Sequence, residues 1–170
     1  MILTGNAIRE AVEKGEIEID PFDPAQIGPG SYDLAIANEF RFFKKAHKIL
    51  EVHEHLDYKE ETVLVNLPDD NPFIIMPGEC AHAITRERIK LAGNICAWLQ
   101  GRSSFARLGL MVHITAAYVQ PGVNNQQVLE MFNASPIPLA LRPGARVCQI
   151  IFQRCEGESV YSGRYARQRL

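Results

Sequence analysis

Glu130 is the residue that most invites chemistry, set in the run Val128-Leu-Glu-Met-Phe-Asn. A carboxylate buried in an apolar strand is costly unless hydrogen-bonded, and burial raises its pKa toward neutrality, where it can take and return protons. Strict alternation would instead point Glu130 to solvent, and spacing leaves both readings open. A second segment is Gly101-Arg-Ser-Ser-Phe-Ala-Arg-Leu-Gly-Leu-Met-Val-His. Glycine ends an apolar stretch there, and Ser103 and Ser104 then stand between Arg102 and Arg107. Either serine can cap a short helix whose free N–H groups favour an anion. A capped surface turn with solvated arginines is the plainer reading. The chain has no Gly-x-Ser-x-Gly, so a hydrolase nucleophile elbow is not supported. A third segment, residues 160–170, carries Arg164, Arg167 and Arg169 and no acid. It reads as a solvated basic tail or as a mobile lid over an anion.

Metal chemistry finds less support. His53 and His55 flank Glu54 in a charged stretch, where imidazoles are usually solvated. A zinc deaminase needs His-x-Glu and Pro-Cys-x-x-Cys, and neither occurs. His82 and His113 sit in apolar contexts and read as satisfied core histidines. Cys80, Cys96, Cys148 and Cys155 form no Cys-x-x-Cys, and no basic region followed by an apolar stretch opens the chain. The expectation is reduced thiols in a cytoplasmic protein.

The elements that must position these residues are mostly strands. One helix stands near the start, with Thr4 as N-cap, Leu3 and Ile8 as a hydrophobic staple, and Gly15 as the stop. Ala7, Ile8, Ala11 and Val12 form its narrow apolar face. The period then falls to two at Ile17 and Ile19, at Tyr32, Leu34 and Ile36, at Val63, Val65 and Leu67, and at Phe73 and Ile75. Residues 145–152 read as a buried strand. Pro-Gly pairs at 29–30, 77–78, 121–122 and 143–144 mark turns. Many short strands between such turns predict an all-β sandwich or distorted barrel. Residues 44–62 read as a charged surface hairpin or excursion.

A chain of 170 residues is one domain, long enough to bury roughly 70% of its unfolded surface without disulfides or metals. Its 46% hydrophobic and 22% charged content excludes wholesale disorder. No run reaches the ~18 apolar residues of a membrane span. A net charge of −2 and a pI near 6.2 argue against a broad nucleic-acid footprint. They leave room for a small anion held by local arginines.

Taken in order, these motifs resemble the dCTP deaminase family of the trimeric dUTPase-like superfamily. The likeness runs through Leu3-Thr-Gly, Gly28-Pro-Gly-Ser-Tyr-Asp-Leu, Asn38-Glu-Phe, Met76-Pro-Gly-Glu and Ala97-Trp-Leu-Gln-Gly-Arg-Ser-Ser. It continues through Val128-Leu-Glu-Met-Phe-Asn, Pro138-Leu-Ala-Leu-Arg-Pro-Gly and Tyr161-Ser-Gly-Arg-Tyr. The resemblance implies a mainly β, β-clip or distorted jelly-roll fold with a short N-terminal helix. It divides the chain into one domain over 1–158 and a basic tail over 159–170 that lids the nucleotide. It also implies a homotrimer with active sites shared between subunits, and zinc-independent hydrolysis of dCTP to dUTP and ammonia. Mg²⁺ would be held mainly by the triphosphate. Feedback inhibition by dTTP is a family expectation that no residue here shows. By motif match, Glu130 is the general acid/base on the attacking water, with Ser103 and Arg107 around the reacting end of the base. Arg102 and Ser104, with Ser103, fall near the phosphates. Thr115 and Ala116 read the base edge, Tyr118 and Gln120 lie at the sugar, and Arg164, Tyr165 and Gln168 belong to the lid.

Departures from the family pattern cluster at the site. Gln120 stands where an acid is usual, Val123 where an aromatic is usual, and Asn125 where a glycine is usual. Glutamine can bond a hydroxyl but cannot act as a base, which argues against strong triphosphate hydrolysis and so against dUTPase activity. The sequence ends at Leu170, short of the usual family length, so a shorter lid is expected. The competing reading from these departures is a non-catalytic deoxynucleotide-binding trimer, a sensor or regulator.

Overall fold

The computed structural model describes every residue except Ala46, Asp69, Asp70 and Ile114. Helix α1 spans Gly5–Glu13, with Ile8 and Ala11 fully buried and Ala7 and Val12 partly so. Its apolar stripe is the docked face. Thr4 occupies the N-cap, but its side chain makes no capping hydrogen bond, so packing rather than the cap anchors the start. The helix ends at Lys14, and Gly15 follows with φ +69°. That left-handed conformation is one that glycine adopts without a Cβ clash.

The strands are β1 (Ile17–Asp20), β2 (Tyr32–Leu34), β3 (Ile36–Phe43), β4 (Thr62–Asn66), β5 (Phe73–Ile75), β6 (Cys80–Leu91) and β7 (Ile95–Gly101). After a one-turn helix α2 (Ser103–Ala106) come β8 (Leu110–Val112), β9 (Tyr118–Val119), β10 (Asn124–Asn133), β11 (Leu139–Leu141) and β12 (Cys148–Arg154). The larger sheet runs β4-β3-β6-β10-β8, and β1 shares with β3 the edge of β6 away from β10. A second sheet runs β2-β12-β7-β9, and β5 pairs with β11 as a small ribbon. Each of these pairings is antiparallel. The core lies between the two sheets. Phe40, Ala83, Ile89, Leu129 and Met131 meet Leu34, Ala97, Leu99, Ile150 and Phe152 there. No helix among the described residues is long and apolar enough to cross a membrane.

Two expectations need adjusting. Strand β4 forms, but Val63 is exposed and Thr62 is its buried residue, because β4 is an edge with little beyond it. Gly78, Gly122 and Gly144 take positive φ after their prolines, whereas Gly30 does not. The charged excursion is the tip of the β3–β4 hairpin. It ends in a 3₁₀ turn, Tyr58–Glu61, where Asp57 Oδ1 accepts a hydrogen bond from the Lys59 amide at 3.0 Å.

In β6 the alternation is plain from Arg86 onward, yet residues 81–85 are all buried. Both faces of the sheet are covered there. The core covers one. The other meets the Tyr58 and Phe43 rings beside His82, and Leu170, which is buried with Ile84 and Val128 in a separate small cluster. The C-terminal segment thus folds back over the outer face of the larger sheet.

Candidate active site

Antiparallel pairing brings four distant residues onto one rung of that outer face. Arg41 on β3 stands opposite His82 on β6, and His82 stands opposite Glu130 on β10. The His113 amide, just past β8, donates to the Glu130 carbonyl at 2.7 Å. Directly opposed residues in antiparallel strands project to the same face. The rung therefore reads Arg41, His82, Glu130, His113.

His113 carries φ +53°, the only positive value outside glycine among the described residues. That conformation turns its ring back over the sheet. Its Nε2 lies 2.9 Å from the Ala116 carbonyl, which can only accept, so Nε2 carries a proton. Its Nδ1 lies 2.5 Å from Glu130 Oε2, although off the line of a hydrogen bond. Burial by itself would raise the Glu130 carboxyl. The adjoining His113, a backbone N–H and His82 together outweigh it, and the net effect holds Glu130 below the usual glutamate range. Glu130 is thus ionised at neutral pH and able to accept a proton, while its side chain stays 46% exposed.

The exposed part faces a cavity of about 420 Å³, a size ordinary for small-ligand sites. Glu130, His82 and Val128 line it from the sheet, and His113 and Ala116 from the loop after β8. Tyr118, Gln120 and Val123 line it from the β9–β10 turn, and Tyr161, Tyr165 and Gln168 from the C-terminal segment. Gln168 Nε2 donates to the Gln126 carbonyl at 2.9 Å, and Asn125 Nδ2 donates to the Tyr165 carbonyl at 2.9 Å. Asn125 in turn accepts from Gln127 Nε2 at 2.6 Å. The departure from glycine at 125 therefore ties down the segment beside the cavity.

Of the residues singled out from sequence, Glu130, Ala116, Tyr118, Gln120, Tyr165 and Gln168 line this one cavity. Thr115 is exposed on the adjoining loop. Arg164 bonds the carbonyls of Glu54 and Leu56 at 3.2 and 3.3 Å, fastening the segment to the excursion. Arg102 pairs with Asp33 at 3.2 Å and donates to the Arg146 carbonyl at 2.7 Å. Ser103, Ser104 and Arg107 lie exposed on and just after α2 and do not line the cavity. Within one chain, the Arg-Ser-Ser half of the expected site does not line the cavity that Glu130 faces.

The sequence reading passed over His82 and His113 as core histidines. Both are buried, at 8% and 7% exposure, yet both line the cavity beside Glu130. Tyr58 and Asn125 were also not read as lining residues. Local signals were thin, because the rung arises from pairings of residues 41, 82, 113 and 130.

Residues 2–155 match the family model described as dCTP deaminase-like. A Methanobrevibacter smithii protein named dCTP deaminase, dUMP-forming, is 40% identical over 154 residues, covering 89% of this chain and 79% of that protein. A Persephonella marina protein of the same name is 40% identical over 171 residues, covering 99% and 93%. The crystal structure of 2′-deoxycytidine 5′-triphosphate deaminase from Agrobacterium tumefaciens superposes with a TM-score of 0.71 at 20% identity over 91% of this chain. This chain spans about half of that one, 48%. A dUTPase from Staphylococcus aureus phage phi11 gives 0.52 at 9% identity, covering 87% and 96%. These two likenesses show the fold, which is mainly β and dUTPase-like with a short N-terminal helix.

The relatives' names overturn one expectation. Gln120 argued for a dUTP-forming enzyme without dUTPase activity, whereas the similar proteins are named dUMP-forming. The inference leaned on a single side chain. Gln120 is an exposed residue of the cavity wall, and the ionised carboxylate of that cavity is Glu130.

Proposed function

The chain belongs to the dCTP deaminase-like family, and from that premise we propose that it converts dCTP to dUMP. One dCTP and two waters give dUMP, pyrophosphate and ammonia. The observation that carries this reading is Glu130, held ionised against His113 on the wall of a cavity of nucleotide scale. Glu130 takes a proton from water as the oxygen attacks C4 of cytosine. The C4–N4 bond then breaks, and the proton goes to the leaving nitrogen. Ala116 and its loop face the base edge, Tyr118 and Gln120 the sugar, and Tyr165 and Gln168 close over the nucleotide. Glu130 is also the ionised group available to the water that cleaves between the α- and β-phosphates.

Ser103, Ser104, Arg102 and Arg107 enter from a neighbouring copy in a homotrimer. That they do not line the Glu130 cavity within one chain supports that arrangement. Mg²⁺ belongs to the triphosphate substrate. Among the described residues no group of three or more His, Cys, Asp or Glu could hold a metal.

The test is incubation with dCTP and Mg²⁺, separation of the nucleotides, and an ammonia assay. Equal yields of dUMP and ammonia are expected. Unchanged dCTP that nevertheless binds would replace this reading with the non-catalytic nucleotide-binding trimer. Sedimentation near three times 19.1 kDa checks the assembly, and a monomer would refute the shared site.

A further inference from the structure

The rung that carries Glu130 holds a second imidazole. His82 is the direct cross-strand neighbour of Glu130, on the side away from His113. Side chains so opposed start from Cβ atoms about 5 Å apart. His82 is 8% exposed, and its ring lies against Tyr58 at 5.0 Å and Phe43 at 5.5 Å between centroids. Those rings leave it little freedom to swing away. It also lines the cavity.

Its Nδ1 is buried without a hydrogen-bond partner. Among the described residues three side-chain polar atoms are so placed: Arg41 Nε, His82 Nδ1 and His113 Nδ1. All three belong to this one rung. An unpartnered buried ring nitrogen carries a desolvation cost that a leucine filling the same space would avoid. Packing therefore does not account for an imidazole at 82.

We propose that His82 is a positioning residue for Glu130, a second imidazole that keeps the carboxylate ionised and aimed into the cavity as the solution acidifies. The proposal rests on the reading of Glu130 as the base. The groups facing His82 are Glu130 from β10, Arg41 from β3, Tyr58 from the excursion and Cys80 two residues back on its own strand. His113 stands on the far side of Glu130. Burial and Arg41 disfavour charge on His82, Glu130 favours it, and the balance lies below the usual histidine range. At neutral pH His82 is neutral. As pH falls it takes a proton, and Glu130 then has a cation beside it on β6. Protonation of the base is deferred to lower pH than one imidazole would allow.

Two variants test this through the pH dependence of kcat/KM for dCTP. His82→Gln keeps a polar side chain of similar reach, and His82→Leu fills the space. In both, the acid limb should move upward by about one pH unit. A purely structural role would lower the plateau or the melting temperature and leave the limb in place. An unmoved limb in both folded variants overturns the proposal.

A second measurement needs no turnover. The His82 ring is titrated by NMR in the wild-type protein and in Glu130→Gln. Loss of the carboxylate should move the His82 midpoint further down. A midpoint that stays or rises overturns the proposal, even if the chain proves not to deaminate dCTP.

Discussion

Replacing Leu170 with alanine should release the segment beside the cavity without unfolding the domain. Leu170 is 4% exposed and shares a small cluster with Ile84 and Val128, apart from the main core between the sheets. Truncation removes about 2 kcal/mol of apolar burial. The other ties are hydrogen bonds, those of Gln168 and Asn125, each of net value about 1 kcal/mol, and the pair from Arg164 to the Glu54 and Leu56 carbonyls. The leucine is the apolar anchor among them. A loss of about 2 kcal/mol shifts the closed-to-open ratio by roughly 30-fold. Chain before the segment should stay in place, because the Ser159 and Tyr161 amides bond the carbonyls of Gly93 and Pro121 at 2.8 and 2.9 Å. Amide hydrogen exchange should show faster exchange confined to residues 162–170. If closure precedes turnover, KM for dCTP should rise by up to the same factor. The melting temperature should fall by no more than about 8 °C, the upper shift that about 2 kcal/mol gives a chain of this size. Unchanged exchange over 162–170 would refute the anchoring argument. Faster exchange with an unchanged KM would refute the lid.

Glu130→Gln should cut turnover by about 10²–10⁴-fold while nucleotide binding, read by calorimetry, stays near wild type. Because the fold depresses the Glu130 pKa, its contribution to stability is present at neutral pH and lost as pH falls through the depressed value. The stability gap between wild type and Glu130→Gln, read from urea midpoints, should therefore narrow in acid. Asn125→Ala strands the Gln127 amide and the Tyr165 carbonyl, which should cost about 1–3 kcal/mol and raise KM for dCTP about tenfold in steady-state assays. Glu87 has the opposite sign to Glu130. It is 1% exposed, accepts from the Ala35 amide at 3.0 Å and from Gln26 Nε2 at 3.2 Å, and burial raises its pKa. Stability tied to its protonated form is full in acid and lost as pH rises through the raised value. Glu87→Gln should thus gain on wild type between pH 5 and pH 7.5, and a gap that does not grow with pH would count against the assignment.

Local pattern was enough for much of the scaffold. Helix α1 follows from Ala7, Ile8, Ala11 and Val12 on one stripe with Gly15 beyond, because a 3.6-residue period and a left-handed stop act within a few residues. Strands β1 and β12 follow from Ile17 and Ile19 and from the apolar run before Phe152 for the same reason. Pattern failed where tertiary cover changed the accounting. Val63 obeys the strand period yet is exposed, because β4 is an edge. Residues 81–85 break the period yet form a strand, because both faces of β6 are covered.

The sequence by itself determined the scaffold type and singled out Glu130 as the candidate. Strand period, turn chemistry and ordered motifs are properties of neighbouring residues and survive without coordinates. It also marked the Arg-Ser-Ser turn and the basic segment, though not where they lie relative to Glu130. Only the tertiary structure decided which groups surround the carboxylate. Strand register brings Arg41, His82 and His113 onto its rung across gaps of 17 to 89 residues, and no local pattern encodes such pairing. It also decided the charge of Glu130. Burial alone predicts a raised pKa, and the neighbouring groups, His113 foremost, together reverse the sign.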